Sequence, residues 1–129
     1  MTTRSSRPTE FELELLKILW DRGPATAREI LEAIEERRPV GYTTVLKMLQ
    51  LMEKKDMVAV DRTARSHVYS AALERGRTLG GLVEEFVSRA FDGAAEDMLV
   101  HLVKGRLDAE ALERLQRRLE ELKEEENRG

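Results

Sequence analysis

Residues 41–60 read GYTTVLKMLQLMEKKDMVAV, and this one segment has two textures. Val45, Met48, Leu49 and Met52 recur at the three- and four-residue spacing that lines one face of a helix. Thr43, Thr44 and Lys47 fall outside that stripe, with Leu46 and Gln50 beside them. The spacing predicts a helix from Thr43 or Thr44 to Lys55, apolar on one side and polar at its opening turn. Lys54 and Lys55 close it, where cations suit the negative end of the helix dipole. The run MVAVDR that follows is β-branched and predicts a strand carrying Met57, Val58 and Val60. The polar connector TARS and a second short strand, HVYSA, with Val68 and Tyr69, complete a hairpin.

Upstream, the same start signal occurs twice. Thr9 with Glu12, and Thr26 with Glu29, have the spacing of a capping box, in which the threonine hydroxyl and the glutamate carboxylate each take an orphan backbone amide. The first box predicts a helix over about 10–21 with Phe11, Leu15, Ile18, Leu19 and Trp20 on its apolar face. Gly23 and Pro24 stop it. The second predicts a short helix from Ala27 presenting Ile30, Leu31 and Ile34, ended by RRPVG because the residue before a proline is pushed toward extended geometry. Three helices and a hairpin over about 65 residues, well within the usual size of one domain, form the layout of a winged helix-turn-helix.

Downstream the pattern stays helical. Leu79, Leu82, Val83 and Phe86 form one stripe, Met98, Leu99, Leu102 and Val103 a second, and Leu112, Leu115, Leu119 and Leu122 a third. Gly93 and Gly105 serve as turn signals, and Asp92 or Asp108 can cap the helix that follows. Three short helices with few aromatics bury little surface alone. A symmetric second copy is the commonest way to cover such stripes.

The fold class expected is therefore mainly α: an N-terminal arm over 1–8, a winged-helix domain over 9–72, a three-helix dimerisation region over 73–123, and a frayed acidic tail over 124–129.

Composition narrows the chemistry. The chain has 129 residues, 41% of them hydrophobic and 36% charged, with no cysteine and a net charge of −3. Disulfides, thiol nucleophiles and thiolate metal sites are excluded. No apolar stretch approaches the roughly 20 residues that span a bilayer, and MTTRSSRPTE lacks the apolar core of a signal peptide, so a cytoplasmic protein without direct membrane association is expected. Charge is unevenly spread. Between residues 37 and 69 the basic Arg37, Arg38, Lys47, Lys54, Lys55, Arg62 and Arg65 face only Glu53, Asp56 and Asp61. A local basic excess in an acidic chain is the footprint of a phosphate-backbone contact.

An enzyme is not expected: His67 and His101 are the only histidines, no glycine-rich phosphate loop occurs, and the acidic residues sit in helical charge patterns. No cofactor and no metal are implied. The candidates for nucleic-acid contact are Thr43, Thr44 and Lys47 on the third helix, Thr26 and Arg28 at the start of the second, Tyr42 between them, and Arg62 and Arg65 in the hairpin. A helix that enters the major groove reads bases with its first turns while its opposite face packs on its own domain. Thr43 and Thr44 suit either a helix cap or a base or phosphate contact, and one threonine can serve both. Tyr42 suits either a core aromatic or a phosphate-directed hydroxyl. His67 reads as a strand residue. A protein-interaction module, or a regulator with an effector pocket in its helical arm, remains open on these residues alone.

Several separated motifs occur in one order: LLKILW, YTTVLKMLQLMEKKDMV, ARSHVYS and FDGAAEDMLVHLV. Together they resemble the BlaI/MecI/CopY family of penicillinase-type transcriptional repressors, over about Thr9 to Leu119. The resemblance implies a homodimer whose winged domains each read half of a palindromic double-stranded DNA operator. Leu79, Leu82, Phe86, Met98, Leu99, Leu102, Leu112, Leu115 and Leu119 would then hold the dimer. It also implies release by a regulatory protease that cuts the dimerisation helices at an Asn-Phe bond, whose place His101 and Leu102 take here. The copper-responsive branch carries a cysteine motif that this chain lacks. In the third helix, Leu51 stands where many relatives have arginine and Asp56 where they usually have glycine.

Overall fold

The computed structural model describes residues 7–129; positions 1–6 of the expected N-terminal arm lie outside the described residues. Helix α1 spans Glu10–Arg22. Its capping box forms as the sequence predicts: the Thr9 amide donates to Glu12 Oε1 at 2.9 Å and the Glu12 amide to Thr9 Oγ1 at 3.3 Å. Gly23, at φ 91°, closes it by donating its amide to the Leu19 carbonyl, in a conformation that side chains resist. Leu15, Leu16 and Leu19 are buried, with Phe11, Ile18 and Trp20 packed at the core's margin. Leu16 lies off the predicted stripe because α1 is covered from two sides, by the second helix and by the sheet.

A two-residue strand, β1 (Ala25–Thr26), leads directly into α2 (Ala27–Glu35). The sequence carries no signal for β1, which exists only because β3 (Val68–Ala71) arrives beside it, pairing Ala25 with Tyr69 and Thr26 with Val68. Strand β2 (Val58–Asp61) pairs along the other edge of β3, so the antiparallel sheet has the order β1-β3-β2. The predicted hairpin is present, but Met57 precedes β2 as a fully buried core residue and His67 precedes β3 as an exposed loop residue.

Helix α3 spans Tyr42–Lys54. It starts one residue before the predicted boundary, on Gly41, with no side-chain cap. Thr43 and Thr44 therefore lie inside the first turn and do not cap it, which removes the cap alternative for both. Val45, Leu49 and Met52 are fully buried and Met48 is half-buried. Each fully buried aliphatic of this face contributes about 1.5–3 kcal/mol relative to an exposed position, which fixes the side of the helix that packs on the core. Asp56 turns the chain out of α3 at φ 63°. Trp20 Nε1 donates to the Leu73 carbonyl at 2.9 Å, tying α1 to the segment that leaves the sheet.

The chain packs as two compact units that divide between Leu82 and Val83, within α4 (Arg75–Ala90). The second unit continues with α5 (Ala95–Gly105) and α6 (Ala109–Arg128). Asp108 caps α6, accepting from the Ala111 amide at 2.8 Å. Asp92 does not cap α5, whose N-cap is Ala94; it occupies a left-handed turn at φ 52° beside Gly93 at φ 86°. Phe91 meets Phe86 edge-on at 5.8 Å and His101 at 5.5 Å between ring centroids. Helix α6 runs through the acidic tail to Arg128, in keeping with its strong helix formers and the Arg118–Glu121 and Arg128–Glu124 pairs.

Candidate nucleic-acid interface

At 100° per residue, the buried Val45, Leu49 and Met52 define one side of α3, and Thr43, Lys47, Gln50 and Lys54 fall in line on the other. All four are exposed. Thr44 and Leu51 flank this line on one side, both exposed, and the half-buried Leu46 flanks it on the other. The two textures of the opening segment thus become two faces of one helix. Lys47 and Lys54 make no ion pair among the described residues, which leaves their charge available to a polyanion.

On the Leu46 side, α3 meets the hairpin and the start of α2 across an open groove of about 500 Å³. Its walls include Thr26, Arg28, Tyr42, Gln50, Arg62, Arg65 and His67. Of the residues singled out in the sequence, the groove gathers Thr26, Arg28, Tyr42, Arg62 and Arg65; Thr43, Thr44 and Lys47 lie outside it, on the outer face of α3. Arg28 Cζ sits 4.9 Å from the Tyr42 ring centroid, a cation–π contact joining the first turns of α2 and α3. Tyr42 is 40% exposed, which rules out its reading as a core aromatic.

Two of these candidates already have hydrogen-bond partners. The Thr26 hydroxyl caps α2, accepting from the Glu29 amide at 3.2 Å, while the Thr26 amide donates to Glu29 Oε1 at 2.9 Å. That amide bond, with help from Arg22 and against the upward push of desolvation, holds the Glu29 carboxyl below its ordinary range. Arg62 forms a two-pronged pair with Glu53 on α3, at 2.7 and 3.0 Å. Arg65, nearer the apex, is exposed and has no ion pair among the described residues.

Behind this surface, Lys55 reaches back to Glu12. Its Nζ donates to Glu12 Oε2 at 2.7 Å, with the Glu12 side chain only 2% exposed. Burial pushes the Glu12 carboxyl up, but the Lys55 ammonium and the Thr9 amide outweigh it and leave the acid below its usual value. Lys55 thereby serves the packing of α3 against α1, a role its position at the helix end does not reveal. Arg38 likewise pairs with Glu14 at 2.8 Å and lies over the Phe11 ring. Neither lysine nor arginine is legible as an anchor in sequence, because their partners lie 43 and 24 residues away.

Residues 8–121 match the family model described as penicillinase repressor. The chain belongs to that family. It is also 35% identical over 119 residues to the transcriptional regulator BlaI of Mycobacterium tuberculosis, in strains CDC 1551 / Oshkosh and H37Rv, a match covering 91% of this chain and 86% of the relative. The protein is accordingly a transcriptional repressor with a winged helix, and not an enzyme. In the repressor, Asp56 adopts the left-handed turn that favours glycine, so the backbone keeps the bend despite the substitution. Leu51 lies 41% exposed on α3, an apolar side chain on an otherwise polar surface. Among the described residues no cluster of histidine and acidic side chains is placed to hold a metal, and no helix is long and apolar enough to cross a membrane.

Proposed function

We propose that the repressor binds a palindromic double-stranded DNA operator as a homodimer, in the cytoplasm. The observation that carries this is the outer face of α3, where Thr43, Thr44 and Lys47 are exposed opposite a buried Val45, Leu49 and Met52. In this assignment the first turns of α3 enter the major groove, with Lys47 directed to guanine acceptors or phosphate and the threonines to base edges. Arg28, Tyr42 and Arg65 hold the backbone on either side of the groove.

The dimer is supported by the apolar surface of the second unit. Phe86 is 55% exposed, Leu99 45%, Leu102 41% and Leu119 48%, while Val87 is its one buried hydrophobic among the described residues. Met98, Leu112 and Leu115 are half-buried on the same helices, and Leu79 and Leu82 are half-buried on the first part of α4. A second copy covers such stripes symmetrically and supplies the second half-site reader. Derepression follows from loss of this arm to a regulatory protease. The His101–Leu102 bond lies inside α5, so the helix must open locally before a protease can take the extended chain it needs.

The test replaces Thr44 and Lys47 together by alanine. Selection from random duplexes with the parent protein yields its preferred site, and titration of that duplex should show a loss of about 100-fold or more in specific affinity, since one good base contact is worth about 1–3 kcal/mol. Both residues are exposed, so the unfolding free energy should stay within about 1 kcal/mol of the parent. Parent-like binding by the double variant refutes the assigned face.

A further inference from the structure

Arg62 belongs to the basic hairpin, and composition alone assigns it to phosphate. Its geometry assigns it elsewhere. Both of its terminal nitrogens are engaged by Glu53, at 2.7 and 3.0 Å, in the planar fork that matches a carboxylate and restricts both side chains. Glu53 stands in the last turn of α3, the helix that faces DNA, and Arg62 directly follows β2, where the chain enters the wing tip. Next to it, Asp61 Oδ1 accepts from the Thr63 amide at 3.0 Å and the Thr63 hydroxyl at 2.7 Å, which shapes the turn locally but attaches it to nothing outside the wing. Among the described residues, the Arg62–Glu53 pair is the side-chain hydrogen bond that ties the wing tip to α3.

The charge arithmetic points the same way. The paired arginine and glutamate present no net charge to a phosphate, whereas Arg65, Lys47 and Lys54 are exposed cations without an ion pair among the described residues. The Arg62 guanidinium also holds the Glu53 carboxyl below its ordinary range, with His67 contributing further, so the glutamate stays charged throughout the neutral range.

Resting on the DNA-binding assignment above, we propose that Glu53 and Arg62 are positioning residues: their pair is a strut that sets the wing against α3, and wing contact with the DNA backbone falls to Arg65. The glutamate, an acid beside a polyanion site, therefore strengthens operator binding by fixing geometry.

The test uses the full-length chain and the duplex selected by the parent. Glu53→Gln, Arg62→Gln, the double variant and Arg65→Gln are titrated across a salt series, and amide hydrogen exchange of residues 58–71 is followed without DNA. A strut predicts that Glu53→Gln and Arg62→Gln each weaken specific binding about 5- to 20-fold, that the double variant is no weaker than either single, and that the salt slope stays at the parent value. Arg65→Gln should lower that slope by about one. In the free protein, both strut variants should raise exchange in β2 and β3. Tighter binding by Glu53→Gln, a slope lowered by about one in Arg62→Gln, or single losses that multiply in the double variant would overturn the strut. Unchanged exchange in the free variants overturns it independently of DNA, while failure of the parent to select any duplex overturns the DNA assignment and leaves the exchange result to judge the strut.

Discussion

Replacing Lys55 by methionine removes a charge from the end of α3 while keeping the aliphatic stem. It leaves the Glu12 carboxylate 2% exposed with no cation, though the Thr9 amide still donates to it. Breaking a fully buried pair costs about 3–5 kcal/mol. Here the Lys55 side chain is 38% exposed, so water screens the pair and enters once the ammonium is gone, which lowers the expected loss to about 1.5–2.5 kcal/mol. For a unit of this size about 1 kcal/mol moves the thermal midpoint by roughly 4–8 °C, so a fall of roughly 6–20 °C is expected. Glu12→Gln is the contrasting change. Glutamine still fits the third position of the capping box, and the lysine it strands can turn to water, so its loss should be about 1 kcal/mol and smaller than that of Lys55→Met. Trp20 is the only tryptophan and bonds to Leu73 within the same unit, so its fluorescence in urea follows this unit directly. The pH dependence supplies a second check. Because the folded-state pKa of Glu12 is lowered, its contribution is fully present above the ordinary carboxylate pKa and is lost as pH falls below it through the folded value. The acid limb of the stability profile should accordingly flatten in Glu12→Gln. Lys55→Met within about 0.5 kcal/mol of the parent, or Glu12→Gln the more damaging of the two, refutes the anchoring role.

Asp56→Gly should stabilise the winged unit by up to about 1 kcal/mol in urea unfolding, because Asp56 sits at φ 63°, where a Cβ is penalised. Gly80→Ala and Gly81→Ala should each add about 0.5–1 kcal/mol to α4, since a Cβ at either position meets nothing within 4 Å and glycine is a poor helix residue; slower amide exchange across 77–86 would register it. Leu49→Ala, at a fully buried site, should cost about 2–5 kcal/mol by the same Trp20 assay. Arg28→Ala should weaken binding to specific and random duplexes alike and lower the salt slope by about one, as expected of a phosphate contact.

Local signals carried much of this architecture. The two capping boxes, the Gly23 stop, the stripe of Val45, Leu49 and Met52 and the β-branched alternation of the hairpin depend on neighbours within a few residues, and each appears in the structure close to its predicted bounds. Periodicity also separated Thr43, Thr44 and Lys47 from the buried face of α3, because helical phase depends on spacing alone. What lay beyond sequence were pairings between distant segments. Strand β1 forms only against β3, and Leu16 is buried only because α1 is covered twice. Tyr42 finds Arg28, Lys55 finds Glu12 and Arg62 finds Glu53 only when helices and wing are packed, since no sequence interval brings them together. Charge pattern counts Lys55 and Arg62 among cations for DNA; tertiary structure shows Lys55 held by the buried Glu12 carboxylate and Arg62 by two hydrogen bonds to Glu53, because an opposite charge within hydrogen-bond distance engages a cation before any ligand arrives.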